Sequence, residues 1–257
     1  MDNGSRKVHF VGAGPGAPDL ISVRGANLLK NAQVVIYAGS LVNPALLDYA
    51  PNAEVFNSAL MTLDEIVETI RVKHAEGKEI VRLHTGDPSI YGAVREQMDA
   101  LAGLGIPFDS CPGIGACFGA AAALDLEFTL PNVSQSLILT RMAGKTPVPE
   151  RESIESFAAH RACMAVYLSA AMHDELAERL AAGGYPKETP AAIVYKATWP
   201  DEKKILCTVG TLAEEGRKNG IRKTAVVLVG DAVSTSDYAK SKLYAADFST
   251  EFRKAKE

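Results

Sequence analysis

The sequence has few of the residues that hold metals or form disulfides. Its four cysteines form no CxxC pair, and its five histidines form no HxxxH or HExxH motif. We therefore expect no metal site. We also expect the cysteines to act as small buried hydrophobic residues in a reducing compartment.

An excess of basic charge and long apolar runs are also missing. The formal net charge is −4, which gives no reason to expect nucleic acid or an anionic membrane surface as a partner. No apolar stretch approaches the roughly 20 residues that span a bilayer. The opening segment MDNGSRK has neither the apolar region nor the cleavage site of a signal peptide. We expect a cytoplasmic protein with no membrane and no nucleic-acid partner.

Short apolar runs alternate with segments of helical periodicity along a chain of ordinary globular composition. The clearest helix covers residues 62–74, where Thr62 and Glu65 form a capping box. Thr211 and Glu214 predict a second box for a helix over 211–218. Strands are predicted over Lys7–Val11, Gln33–Tyr37, Glu79–His84, Pro107–Ser110, Ser136–Thr140, Met164–Leu168, Ala191–Lys196, Ile205–Val209 and Ala225–Val229. The other predicted helices are Ser22–Asn31, Gly92–Leu104, Ile114–Leu124, Glu150–Ala159 and Ala170–Ala182.

This alternation predicts an α/β protein with mostly parallel or mixed sheets. A break at Leu130-Pro131-Asn132 divides the chain into an N-terminal α/β domain, 1–130, and a C-terminal α/β domain, 131–257. The cleft between two such domains is the default ligand site.

A glycine-rich turn, Gly12-Ala13-Gly14-Pro15-Gly16-Ala17, follows the first strand and fits the GxGxxG/A pattern of dinucleotide sites. Two features weaken that interpretation. Pro15 and Pro18 interrupt the expected helix start, and no acidic residue for a ribose follows the strand 33–37. A tight turn without a ligand remains an alternative, as does direct contact with a cofactor.

Three ordered segments carry a resemblance to a known family. Residues 12–25, GAGPGAPDLISVRG, closely resemble the N-terminal signature of the tetrapyrrole methylases, or class III methyltransferases. RLHTGDPSIYG over 82–92 and CPGIGA over 111–116 resemble the next two signatures, and the similarity runs from about residue 7 to residue 233. The resemblance implies two α/β domains in a homodimer. It also implies S-adenosylmethionine held in the inter-domain cleft, with S-adenosylhomocysteine as product.

The resemblance also implies which residues contact the cofactor. These are Pro15, Thr85, Gly86, Asp87, Ile90, Gly115, Ala116, Leu168, Ala197 and Ala225. Gly115 and Ala116 stand where relatives often have Thr-Ser, so a hydroxyl contact is lost there. Asp87 has the alternative role of a turn former or helix cap, and its cofactor contact could come from the backbone. Ordinary core packing is the alternative for Leu168, Ala197 and Ala225.

Two segments indicate the substrate. YAGSLVNP over 37–44 and TRMAGKTPVPE over 140–150 are similar to the subgroup that methylates precorrin-4 at carbon 11. The alternative for each is a surface loop without a ligand. Because a precorrin carries many carboxylates, basic side chains should bind it, and we expect Arg141 and Lys145 to do so. The sequence leaves open whether the substrate already contains cobalt.

The reaction implied by the resemblance needs no protein nucleophile, because an electron-rich tetrapyrrole carbon attacks the methyl group. The catalytic residues are not identified by the sequence, and Tyr37, Asp87 and Tyr91 are the candidates for a base. Another class III methyltransferase, acting on uroporphyrinogen III or a different precorrin, is one alternative. A tetrapyrrole carrier that has lost cofactor binding is another, although the intact Gly86-Asp87 pair disfavours it.

Overall fold

The computed structural model describes residues 6–255, and most of the MDNGSRK segment lies outside that range. The chain divides into two compact units. The first extends to Ala120 and includes Lys196–Glu202, and the second comprises Ala121–Tyr195 and the chain from Lys203 onward. The predicted boundary lies after residue 130, and the predicted division does not assign Lys196–Glu202 to the first unit.

The first unit is built on a parallel five-stranded sheet of order β3-β2-β4-β1-β5. Its strands are β1 (Val8–Gly12), β2 (Val34–Tyr37), β3 (Glu54–Asn57), β4 (Ile80–His84) and β5 (Phe108–Cys111). The accompanying helices are α1 (Val23–Asn31), α2 (Leu63–Ala75), α3 (Arg95–Gly103) and α4 (Ala116–Ala123). Because all the strands are parallel, their carboxyl ends meet at one edge of the sheet.

Both faces of this sheet are covered by helices. One core includes Val11, Leu29, Val35, Val81 and Leu83, and the other includes Phe10, Ile66, Ile70, Ile80 and Leu101. Successive residues of a strand point to opposite faces, so a sheet covered on both sides needs continuous apolar runs. Such runs are why β1, β2 and β4 were predictable from sequence.

Strand β3 has no counterpart among the predicted strands. Its sequence, EVFN, is short and polar at both ends, and Glu54 and Val55 are exposed. It pairs with β2 at the edge of the sheet. An edge strand of this kind lacks the apolar run that marks a buried one.

The second unit contains a mixed sheet of order β6-β7-β10-β8-β9. Its strands are β6 (Leu137–Arg141), β7 (Cys163–Tyr167), β8 (Pro190–Tyr195), β9 (Lys203–Thr208) and β10 (Ala225–Val229). Only the β6–β7 pair is parallel. The helices are α5 (Ile154–Ala158), α6 (His173–Ala182) and α7 (Leu212–Lys218). The α/β fold is therefore confirmed, with a parallel first sheet and a mixed second one. Every predicted strand overlaps an observed one, with ends shifted by at most about two residues.

The two predicted capping boxes have different outcomes. At α2, the Thr62 hydroxyl accepts the Glu65 amide at 3.3 Å and the Glu65 carboxylate accepts the Thr62 amide at 2.7 Å, which confirms the box. At α7 the prediction is wrong, because the Thr211 hydroxyl accepts the Thr208 amide at 3.0 Å instead. Thr211 also has helical backbone angles, whereas a capping residue is extended. Within residues 6–255, no helix combines the length and apolar content needed to cross a membrane.

Candidate functional site

Three glycine-containing loops meet at the carboxyl edge of the first sheet. They follow β1, β4 and β5, which are neighbours in the sheet. A Cβ atom on Gly12 would lie 2.6 Å from both the Gly113 Cα and the Gly86 carbonyl oxygen. The three backbones therefore pack so closely that Gly12 cannot carry a side chain. The three signature segments of the sequence are thus joined in one place.

A small backbone bridge joins the first two loops. The Gly86 amide donates to the Gly14 carbonyl at 2.9 Å, and the Gly14 amide donates to the Gly86 carbonyl at 3.3 Å. Both glycines have positive φ, which favours glycine over other residues. After this loop the chain forms a short 3-10 helix, Pro18–Leu20, and α1 begins only at Val23. A dinucleotide turn leads straight into its helix, so this geometry disfavours that alternative.

Asp87 ties the loop after β4 to the loop after β5. One carboxylate oxygen accepts the Ser89 amide at 2.9 Å and the Ser89 hydroxyl at 2.5 Å, and the other accepts the Gly113 amide at 2.9 Å. Partial burial by itself would raise the pKa of Asp87, but these hydrogen bonds hold its pKa below the ordinary value. The carboxylate is therefore ionised at neutral pH and its oxygens are engaged in shaping the loops. That arrangement matches the turn-forming role and gives Asp87 little character as a base.

Gly115 and Ala116 lie beside Gly86 at the start of α4. A Cβ on Gly86 would lie 3.5 Å from the Ala116 amide nitrogen and 3.7 Å from the Gly115 Cα. The Gly115 carbonyl accepts the Phe118 amide at 3.0 Å, which closes the first turn of the helix. The start of α4 therefore lies against the loop that follows β4.

Three more of the predicted cofactor residues join this cluster. Pro15 is buried against Gly119 of α4, and the Ala197 carbonyl lies beside Gly16. The Ile90 amide donates to the Asp87 carbonyl at 3.3 Å, and the Ile90 side chain is exposed. Backbone donors and acceptors therefore lie next to apolar side chains around the three loops.

The turn before α3 is strained. Tyr91 and Ala93 have φ angles of 54° and 49°, in the left-handed region that non-glycine residues rarely adopt. Tyr91 is exposed, whereas Tyr37 ends β2 and packs against the core that faces α1. These two candidate bases thus have different surroundings.

Two polar residues near the end of β4, Arg82 and His84, are buried. The Arg82 guanidinium donates to the Gln97 side-chain oxygen at 3.0 Å and to the Ile36 carbonyl at 3.2 Å, and burial lowers its pKa to about 10. Burial, followed by the charge of Arg82, lowers the pKa of His84 to about 3. The His84 Nε2 atom is buried and has no hydrogen-bond partner among the described residues. In the sequence, the feature that indicates these buried polar groups is the presence of an arginine and a histidine in an otherwise apolar strand.

Leu168 and Ala225 belong to the second unit, where Leu168 follows the last residue of β7 and Ala225 is the first residue of β10. Val227 pairs with Val166 in antiparallel register, and extending that register by two residues sets Ala225 opposite Leu168. Leu168 has a φ of 54° and is exposed. Their part in cofactor binding stays a prediction.

Of the predicted substrate residues, Arg141 ends β6 and Lys145 lies in the loop that follows β6. The Arg141 guanidinium donates to the Met142, Thr146 and Pro147 carbonyls at 3.1, 3.2 and 2.7 Å. Arg141 therefore folds its own loop, and Lys145 is exposed on it. Within residues 6–255, no three histidine, cysteine, aspartate or glutamate side chains are grouped as a metal site requires.

Comparison with known proteins gives a consistent family. The model of the tetrapyrrole (corrin/porphyrin) methylases matches residues 7–213. The cobalt-precorrin-4 C(11)-methyltransferase of Methanocaldococcus jannaschii is 49% identical over 256 residues, covering 99% of this chain and 98% of that protein. The precorrin-4 C(11)-methyltransferase of Pseudomonas aeruginosa is 42% identical, covering 93% of this chain and 96% of that protein.

Solved structures of tetrapyrrole methyltransferases are also similar to this chain. A cobalt precorrin-4 methyltransferase has a TM-score of 0.87 at 45% identity, covering 89% of this chain and 96% of that one. The uroporphyrin-III C-methyl transferase of Thermus thermophilus, solved with S-adenosylhomocysteine, has a TM-score of 0.74 at 26% identity, with coverages of 88% and 93%.

Proposed function

Because the chain belongs to the tetrapyrrole (corrin/porphyrin) methylases, we propose that it transfers a methyl group from S-adenosylmethionine to carbon 11 of precorrin-4 or cobalt-precorrin-4. The proposal rests on one observation above all: the three signature segments pack into a single backbone cluster at the carboxyl edge of a parallel sheet. Relatives that carry this activity in their names are similar over nearly the full length.

The residues at this edge suit the cofactor. S-adenosylmethionine has a flat heteroaromatic ring together with hydroxyl, amino and carboxylate groups. Backbone groups of Thr85 and Gly115 can meet the polar groups, and Pro15 and Ile90 offer apolar contact. The amide and carbonyl of Gly86 pair with Gly14, so Gly86 contributes by letting a ligand approach the backbone closely. Asp87 would act through its backbone, because its carboxylate oxygens are engaged with Ser89 and Gly113.

Mechanistically, S-adenosylmethionine supplies an electrophilic methyl group on a sulfonium. The protein's task is to hold that methyl group in line with the substrate carbon and to exclude water, so catalysis rests on positioning. The backbone cluster is suited to this task, since its glycine contacts leave the loops little room to move. In the loop after β6, we propose that Lys145 binds a substrate carboxylate and that Arg141 shapes the loop that presents it.

The test is incubation of the purified protein with labelled S-adenosylmethionine and either precorrin-4 or cobalt-precorrin-4, followed by mass analysis of the tetrapyrrole. A gain of one methyl group at carbon 11 supports the proposal, and the more active substrate decides whether cobalt is present. Methylation of uroporphyrinogen III or another precorrin instead would favour a different class III methyltransferase. Absence of S-adenosylhomocysteine binding would favour a tetrapyrrole carrier.

We also propose a cytoplasmic homodimer whose partner is the small tetrapyrrole and not a nucleic acid. The family resemblance supports the dimer, and the absence of basic excess in a chain of net charge −4 supports the exclusion of nucleic acid. Light scattering after size exclusion would give the oligomeric state, and cell fractionation the location.

A further inference from the structure

The only tryptophan of the chain is seated on the glycine-rich loop. A Cβ atom on Gly16 would overlap the Cδ1 and Nε1 atoms of the Trp199 indole, and it would lie 2.8 Å from the Ala197 carbonyl oxygen. The indole therefore occupies the space that a side chain at position 16 would need. Gly16 itself is buried, so this contact fixes the middle of the loop.

Two hydrogen bonds also hold the same loop. The Thr198 hydroxyl accepts the Ala17 amide at 2.9 Å. The Asn43 side-chain amide donates to the Gly16 carbonyl at 2.9 Å. Gly16 and Ala17 are thus held by three side chains from two distant parts of the sequence.

The segment that carries Trp199, residues 196–202, is itself well braced, and we call it the strap. The Thr198 amide donates to the Glu202 carboxylate at 2.6 Å, and the Trp199 amide donates to the Lys196 carbonyl at 3.0 Å. The Lys196 ammonium lies 5.0 Å from the centre of the Trp199 ring and 2.7 Å from the Asp201 carboxylate. These contacts limit the rotamers of the indole, so the strap presents a preformed surface to the loop.

We propose that Trp199 is a positioning residue for the cofactor: the strap holds the Pro15–Ala17 turn in the conformation that binds S-adenosylmethionine. The proposal rests on the proposed function and adds residues outside the three signatures to it. Pro15 and Ala197, both predicted to contact the cofactor, flank the Gly16–Trp199 contact. Because linkage is reciprocal, ligand binding at the loop also restricts the indole, so Trp199 fluorescence reports occupancy.

Calorimetric titration with S-adenosylhomocysteine tests this directly on the wild-type protein and on Trp199→Ala, Trp199→Phe and Thr198→Val. We expect Trp199→Ala to raise the Kd about tenfold, and the ring in Trp199→Phe to recover a large part of the affinity. At saturating S-adenosylmethionine, kcat of Trp199→Ala should stay within about threefold of wild type, because the defect lies in cofactor binding. A fluorescence titration of the wild-type protein should follow the same binding curve.

Ile70→Ala is the matched control, since it removes a fully buried side chain of α2 that makes no part of the strap or the loop. It should lower thermal stability and leave the Kd unchanged, which separates positioning from general destabilisation. If folded Trp199→Ala and Thr198→Val both bind S-adenosylhomocysteine as tightly as the wild type, the positioning role is wrong and the proposed function stands. If the wild-type protein binds no S-adenosylhomocysteine, the proposed function itself fails.

Discussion

The Asp87 carboxylate accepts a hydrogen bond from the Gly113 amide at 2.9 Å and thereby joins the loops that follow β4 and β5. The two residues are far apart in sequence, and each lies in a signature segment. Their contact gives the acidic side chain a structural role, because it fixes the two loops that form the proposed cofactor site.

Removing the Asp87 carboxylate should loosen both loops. We expect Asp87→Ala to lower the free energy of unfolding by about 1 kcal/mol, because the partly buried Gly113 amide and the exposed Ser89 amide lose their acceptor, and to weaken S-adenosylhomocysteine binding about tenfold. Asp87→Asn keeps one acceptor oxygen and should be affected less. Thermal unfolding, calorimetric titration and kcat would be measured, with Ser89→Ala as control for the local hydroxyl contact. A loss of kcat in Asp87→Asn with normal binding would indicate that Asp87 is a base after all.

The buried His84 side chain should make the free energy of unfolding depend on pH. Its pKa is about 3 in the folded protein and near 6.5 when unfolded, so the unfolded state binds the extra proton as pH falls between these values. The free energy of unfolding therefore has its full value, as far as His84 is concerned, above about pH 6.5. Below that pH it falls by on the order of 1 kcal/mol per pH unit. Urea unfolding between pH 7 and pH 4 should show a shallower decline for His84→Gln than for wild type. Equal slopes in the two proteins would contradict the neutral, buried state of His84.

Gly12 and Gly103 offer a matched pair of glycine substitutions. A Cβ on Gly12 would lie 2.6 Å from backbone atoms of two other loops, whereas nothing lies within 4 Å of one on Gly103. We expect Gly12→Ala to lower the free energy of unfolding by roughly 3 kcal/mol or more, because the new methyl group would overlap backbone atoms that cannot easily move. Gly103→Ala, at the end of α3, should be neutral or stabilising by about 0.5–1 kcal/mol. Thermal melts of both variants would test this, and similar melting temperatures would contradict the close packing of the loops.

Substitution of Arg141 and substitution of Lys145 should have different effects on the KM for the tetrapyrrole. Lys145→Ala should raise the KM for the tetrapyrrole about threefold to tenfold without changing cofactor affinity, because it removes one charge for a carboxylate. Arg141→Ala should have a larger effect, since its guanidinium holds the Met142, Thr146 and Pro147 carbonyls. Arg141→Lys should not restore the loop, because an ammonium lacks the planar fork. Arg151→Ala, at an exposed charge, is the control and should leave KM unchanged.

The two threonines predicted as caps should respond differently. Thr62→Ala should cost about 1 kcal/mol of stability, because α2 loses its capping box. Thr211→Ala should cost less, since Thr211 makes no capping bond at α7. Chemical denaturation of both variants gives the comparison, and equal losses would argue that the Thr208 contact is as important as a cap.

Much of the fold could be predicted from local patterns. Buried strands such as β1 and β4 can be recognised in the sequence because a sheet covered on both faces requires continuous apolar runs. Helix α2 can be recognised from the spacing of its apolar residues and from its capping box. The edge strand β3 and the conformation of Thr211 could not be predicted, because edge pairing and backbone angles depend on neighbours that are distant in sequence.

The sequence by itself determined the family and the residues of its three signatures, because these depend on residue types in order along the chain. Only the tertiary structure decided how those residues are used. It turned Asp87 towards Gly113, left Arg141 folding its own loop, buried His84 beside Arg82, and placed Trp199 on Gly16. Each of these contacts joins groups whose distance and orientation depend on the packing of whole strands and helices, and local sequence carries no record of that packing.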